Sequence, residues 1–127
     1  MIKTLFFVAS GGALGAVLRY LLGVGVYRLT GGPTGFPIAI LIANVLGSFA
    51  MGAFVVLAAE RGLTHYLPFV AIGLLGGFTT FSSFSLESVR LIETGHYGQA
   101  GLYMALSVGL SIFGLMLGMW VTRGALS

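Results

Sequence analysis

Gly76-Gly77-Phe78-Thr79-Thr80-Phe81-Ser82-Ser83-Phe84-Ser85 sets a helix-breaking glycine pair, a run of hydroxyls and phenylalanines three residues apart inside an otherwise apolar segment. A simple membrane anchor has no use for that combination. At membrane depth, irregular backbone is tolerated only where protein or a polar cavity surrounds it. The stretch therefore reads as the working part of a membrane protein, in a helix expected to be interrupted at Gly76-Gly77.

The composition around it agrees. Hydrophobic residues make up 57% of the 127 residues and charged residues 7%, against about 25% charged in a soluble domain; the mean hydropathy is +1.06. A membrane helix needs ~20 apolar residues, so this length holds about four spans and leaves no room for an extramembrane domain. The hydropathy places them at about 3–27, 37–59, 66–92 and 100–121, all in one membrane domain covering 1–127. A Gly/Pro/Thr loop from Arg28 to Phe36 separates the first two, Glu60-Arg61-Gly62 turns into the third, and Glu93 to Gln99 link the third to the fourth. The opening Met-Ile-Lys-Thr-Leu-Phe-Phe-Val-Ala-Ser has features of a secretion signal, but its apolar pattern runs on through Leu14, Val17, Leu21 and Val26, so it is expected to begin the first span. The chain has no cysteine, which excludes disulfides and thiolate metal sites. A net charge of +3 is too small and too scattered for a nucleic-acid partner and suits anionic lipid headgroups.

Two patterns concern assembly. Gly11/Gly15, Ser48/Gly52, Gly73/Gly77 and Gly114/Gly118 are pairs of small residues four apart, the spacing that lets membrane helices approach closely. With four spans, Lys3, Arg61 and Arg123 fall on one side of the membrane and Arg28 and Arg90 on the other. Three against two barely biases orientation under the positive-inside rule. Insertion both ways, and an antiparallel homodimer of the two orientations, are physically permitted. Four short helices are also too few to enclose a polar path comfortably, which independently favours an oligomer.

Several polar groups lie at membrane depth. Arg19 in span 1 must face protein or water, since a buried charge costs at least ~2.5–3.5 kcal/mol on insertion scales; an anion-attracting vestibule charge and a structural tie to backbone carbonyls both fit. Asn44, with Ser48 one turn later, serves equally well as interhelical glue or as a donor to a dehydrated anion. In span 3, Phe81, Phe84, Ser85 and Ser88 share one helical stripe, and Thr80, Ser83 and Glu87 the neighbouring one. Ring edges carry the positive end of the aromatic quadrupole. Edges with hydroxyl and amide donors solvate a small anion without a full charge to trap it, which is what conduction requires. Tyr103, Ser107 and Ser111, four apart in span 4, present a further polar face. Carbonyls freed at Gly76-Gly77 need donors or a hard cation such as Na+.

These residues resemble the CrcB/Fluc fluoride channels of bacteria and their relatives over essentially the whole chain. The resemblance rests on Gly11-Gly12-Ala13-Leu14-Gly15-Ala16 with Arg19-Tyr20, on Ala43-Asn44-Val45-Leu46-Gly47, and above all on the Gly76–Ser85 motif with Glu87. It implies an all-α, multi-pass protein of the bacterial inner (plasma) membrane, an antiparallel dual-topology homodimer of four-helix chains with two fluoride pores. Phe81 and Phe84 would touch fluoride through ring edges, Asn44 would donate to it, and Tyr103, Ser107 and Ser111 would match the family's polar track. Carbonyls of Gly76 and Thr79 from both subunits would hold a structural Na+ at the dimer centre. The implied role is protective: fluoride that entered as HF leaks out passively. The chain departs from many relatives at Ile40 and Ile42, where they carry threonine, at Ser83 for threonine and at Phe78 for leucine. The isoleucines remove hydroxyls from early span 2, whereas Ser83 keeps its donor.

Other functions fit less well. A proton-coupled multidrug exporter of similar length needs a carboxylate deep in span 1; this span has only Arg19, which repels cationic substrates. A structural membrane protein accounts for the glycines but not for the Thr/Ser/Phe stripes. No nucleophile–base pair or metal-ligand cluster suggests an enzyme, and His65 and His96 fall in expected loops.

Overall fold

The computed structural model describes residues 1–33 and 35–127; Thr34, in the loop expected between Arg28 and Phe36, lies outside the described residues. The chain is all-helical in its long elements, and four stretches are long and apolar enough to cross a membrane: Ile2–Thr30, Ile38–Arg61, Thr64–Glu93 and Tyr97–Leu126. The first, α1 (Ile2–Thr30), and second, α2 (Ile38–Arg61), are continuous. Helix α1 runs on through Arg28 and Thr30, which hydropathy alone assigns to the loop. Polar residues extend a helix past the apolar layer, and here the Thr30 hydroxyl donates back to the Val26 carbonyl at 2.8 Å before Gly31 closes the helix in a left-handed cap.

The third span is the irregular one. A 3-10 turn at Thr64–Tyr66 leads into a π-helical segment, Pro68–Leu75, then a single helical turn, α3 (Gly76–Phe78), and finally α4 (Phe81–Glu93). The break does not fall at Gly76-Gly77 as expected. Gly76 is right-handed helical (φ −62°, ψ −37°), and the chain leaves the helix at Thr79 (φ −85°, ψ 158°) and Thr80 (φ −153°, ψ 126°). Two β-branched residues sit comfortably in extended backbone. Thr80 then starts α4 as its N-cap, its Oγ1 accepting from the Ser83 N–H at 3.1 Å. Thr80→Val, which keeps the shape but not the acceptor, is expected to lower stability by about 1 kcal/mol in thermal unfolding in detergent, with Thr80→Ser close to wild type.

The last span, α5 (Tyr97–Leu126), packs along α2, while α1 packs against the π-helical segment and α3. Lipid tails are as apolar as leucine, so helices in a bilayer associate through close packing rather than a hydrophobic drive. The small-residue pairs supply it. A Cβ added at Gly15 would collide with the Leu74 carbonyl oxygen across the α1 seam, and one at Gly118 with the Phe49 carbonyl oxygen across the α2–α5 seam. Gly77 belongs to the first seam: a Cβ there would lie 2.6 Å from the Gly12 carbonyl oxygen. Gly77 of the motif therefore lets α1 come close rather than breaking the helix.

Candidate ion pathway

The break places its polar groups against span 2. Asn44, midway along α2, accepts from the Thr80 N–H at 2.8 Å through Oδ1 and donates to the Thr80 carbonyl at 3.0 Å through Nδ2. The side-chain amide thus replaces the one backbone partner that the Thr80 N–H loses at the break and adds a second donor to the Thr80 carbonyl, which as the N-cap carbonyl already opens α4. It is interhelical glue, and because the amide nitrogen carries two hydrogens, one donor is still uncommitted among the described residues.

Asn44, Thr80, Phe81, Phe84, Ser107 and Ser111 line a single groove of about 340 Å³. Its floor is apolar, with Leu115 and Ile112 from α5 and Met51 from α2. Phe81 and Phe84 lie with ring centroids 5.4 Å apart, and Phe84 in turn lies 5.3 Å from Tyr103. Tyr103 is fully buried, covered on another side by the edge-on ring of Phe36 at 5.6 Å.

The hydroxyls divide into two groups. Ser85 donates to the Phe81 carbonyl at 3.0 Å and Ser88 to the Phe84 carbonyl at 2.8 Å, the back-bond common for serine inside helices. Those two are satisfied by their own helix. Tyr103 Oη and Ser107 Oγ, neighbours one helical turn apart, are buried and make no hydrogen bond of good geometry among the described residues. A buried hydroxyl without a partner costs about 1–3 kcal/mol, so the pair stands out; Ser107 borders the groove, and Tyr103 lies behind it against Phe84.

The other expected site residues lie elsewhere. Ser83 is half-buried and serves the N-cap of α4 through its N–H. Glu87 is outside the groove; it pairs with Arg90 at 3.0 Å and borders a second pocket of about 200 Å³ with Tyr27, Thr30 and Phe36. Arg19 is also outside the groove, its Nε donating to the Gly77 carbonyl at 3.2 Å. At the break, the Thr80 N–H turns to Asn44 and the Ser83 N–H to Thr80 Oγ1. The carbonyls of Gly76 and Thr79, which those two groups would bond in a continuous helix, therefore keep free lone pairs among the described residues.

Phe36 was not expected to matter. It lies in a loop by sequence, and its contact with Tyr103 joins segments far apart in the chain, so no local pattern signals it.

Four apolar spans, with one helix broken and re-capped at membrane depth beside a groove, define a multi-pass membrane protein. The chain belongs to the CrcB-like protein, Camphor Resistance (CrcB) family, whose model matches residues 6–119. It is 74% identical over 122 residues to a protein of Roseobacter denitrificans called Fluoride-specific ion channel FluC, covering 96% of this chain and 97% of that one. A protein of the same name from Ruegeria sp. is 63% identical over 127 residues, with both chains covered in full. Another, from Caulobacter vibrioides, is 47% identical over 122 residues, 94% of each chain. The family resemblance read from the sequence is thereby shown, and the relatives carry the name of an ion channel, not of an enzyme.

Proposed function

We propose that the protein is a passive, fluoride-selective channel that lets cytoplasmic fluoride leave a bacterial cell across its inner membrane. The observation that carries this reading is the pair of buried hydroxyls without a hydrogen bond among the described residues, Tyr103 Oη and Ser107 Oγ, with the Tyr103 ring packed on Phe84 and Ser107 sharing the groove with Phe81 and Phe84. Fluoride holds its hydration water tightly, so a pore must offer replacement donors at every step. The free N–H of Asn44, the hydroxyls of α5 and the positive rims of the phenylalanine rings are such donors. None carries a full charge, so the ion is solvated without being held. Larger halides fit a narrow track of weakly polarising donors poorly. Support from kinship comes from the relatives' name, which states fluoride specificity.

The working unit on this reading is an antiparallel homodimer with two pores. Phe81 is 77% exposed in the single chain, and the groove it borders needs a second wall. The near-balance of loop charges suits insertion in both orientations. The carbonyls of Gly76 and Thr79, stripped of helical partners by the break, fit a structural Na+ on the dimer axis. Such an ion would satisfy oxygens that hydrocarbon leaves unpaired and tie the two breaks together.

The test is fluoride release from liposomes by Tyr103→Phe, Ser107→Ala and the double variant. Each lost hydrogen bond to an anion is expected to slow release about tenfold, with the double variant slower than either. Wild-type release from the double variant would remove both hydroxyls from the path.

A further inference from the structure

In an unbroken helix the Gly77 carbonyl accepts from the N–H four residues on, that of Phe81. Here Phe81 opens a new helix behind two extended threonines, and that bond is absent. The Gly77 oxygen accepts instead from Arg19 Nε of α1 at 3.2 Å. The missing Cβ at Gly77 makes this reach possible by letting the α1 backbone at Gly12 lie against it. On the other flank Asn44 of α2 holds both backbone groups of Thr80. Spans 1 and 2 thus grip the break at two points, and the uncommitted Gly76 and Thr79 carbonyls lie beside them.

We infer that Arg19 is a positioning residue: its Nε–H bond to the Gly77 carbonyl fixes the angle at which the broken span restarts, and with it the placement of Phe81 and Phe84. The inference rests on the channel reading above. Arg19 does not line the groove, so its charge is not placed to solvate an ion among the hydroxyls. Its contact is made by the nitrogen within the side chain rather than by the guanidinium tips, and it is made to backbone that has lost its own partner. A charge acting only at a distance would not depend on that atom.

Side-chain chemistry separates the two roles. Glutamine carries a nitrogen donor the same number of bonds from Cα as arginine Nε, without the charge. Lysine carries a methylene there and keeps its charge one atom further out. Arg19→Gln, Arg19→Lys and Arg19→Leu are compared with wild type in two measurements. The first is fluoride release from liposomes. The second is amide hydrogen exchange at Thr79, Thr80 and Ser83, whose N–H groups bond Leu75 O, Asn44 Oδ1 and Thr80 Oγ1.

The positioning role predicts Arg19→Gln close to wild type in both, while Arg19→Lys and Arg19→Leu exchange faster at the break and release fluoride about tenfold more slowly. Wild-type behaviour of Arg19→Lys with loss in Arg19→Gln would overturn it, as would equal impairment of the two. If the wild-type protein releases no fluoride, the channel reading fails. The exchange measurement still decides whether Nε holds the break.

Discussion

Asn44→Leu is expected to slow fluoride release from liposomes by about 10- to 100-fold. The leucine fills similar space but leaves the Thr80 N–H and carbonyl without the partners that Asn44 gives them at 2.8 and 3.0 Å. The carbonyl keeps its bond at the start of α4, but the orphaned N–H costs about 1–3 kcal/mol if it stays put, so the strand-like break is expected to shift to find a new partner. Phe81 follows Thr80 directly and moves with it. Every 1.36 kcal/mol added to the barrier for ion passage slows release tenfold, and the variant also loses a donor at the groove. Asn44→Asp sharpens the result. It keeps an acceptor for the Thr80 N–H, loses the bond to the Thr80 carbonyl and puts a negative charge in an anion path, so it is expected to be at least as slow. Wild-type release by both variants, in protein of normal size and helicity, would remove Asn44 from the path and from the break.

Gly118→Leu is expected to leave little folded protein. The α2 and α5 backbones touch at this residue: an added Cβ would meet the Phe49 carbonyl oxygen and lie 3.0 Å from the Ala53 nitrogen. Neither is a side-chain tip that can swing away. Over-packing commonly costs about 1–3 kcal/mol, and more where backbone must move, against a total stability of about 5–15 kcal/mol. The α2–α5 seam would have to open along its length. Gly109 is the control on the same helix, with nothing within 4 Å of an added Cβ. Gly109→Leu is expected to be purified in normal yield as a single species on size-exclusion chromatography, and Gly118→Leu to be lost to aggregate. Equal yields would show that the α2–α5 contact is looser than its geometry indicates.

The parts legible from sequence were those with a local signal. Hydropathy located the four spans, and spacing placed Tyr103, Ser107 and Ser111 on one face of α5 because residues four apart share a helical face. The Gly76–Ser85 motif marked the irregular span. What escaped were pairings between distant segments. The glycine pair looked like the break because glycine is a poor helix former; the break lies at Thr79 and Thr80, where Asn44 of another helix supplies the partner that the Thr80 N–H loses. Span ends were displaced for a related reason: Arg28 and Tyr97 are polar enough to look like loop, yet each continues a helix. For Arg19, residue type and depth left two roles open, and only the position of the Gly77 carbonyl distinguishes them.

The measurement closest to the central claim is passive efflux from liposomes carrying the purified protein, read with a fluoride electrode beside a chloride electrode and without a proton gradient. The account predicts rapid fluoride release with chloride retained. Retention of both ions by properly assembled protein, or release of both alike, would contradict it.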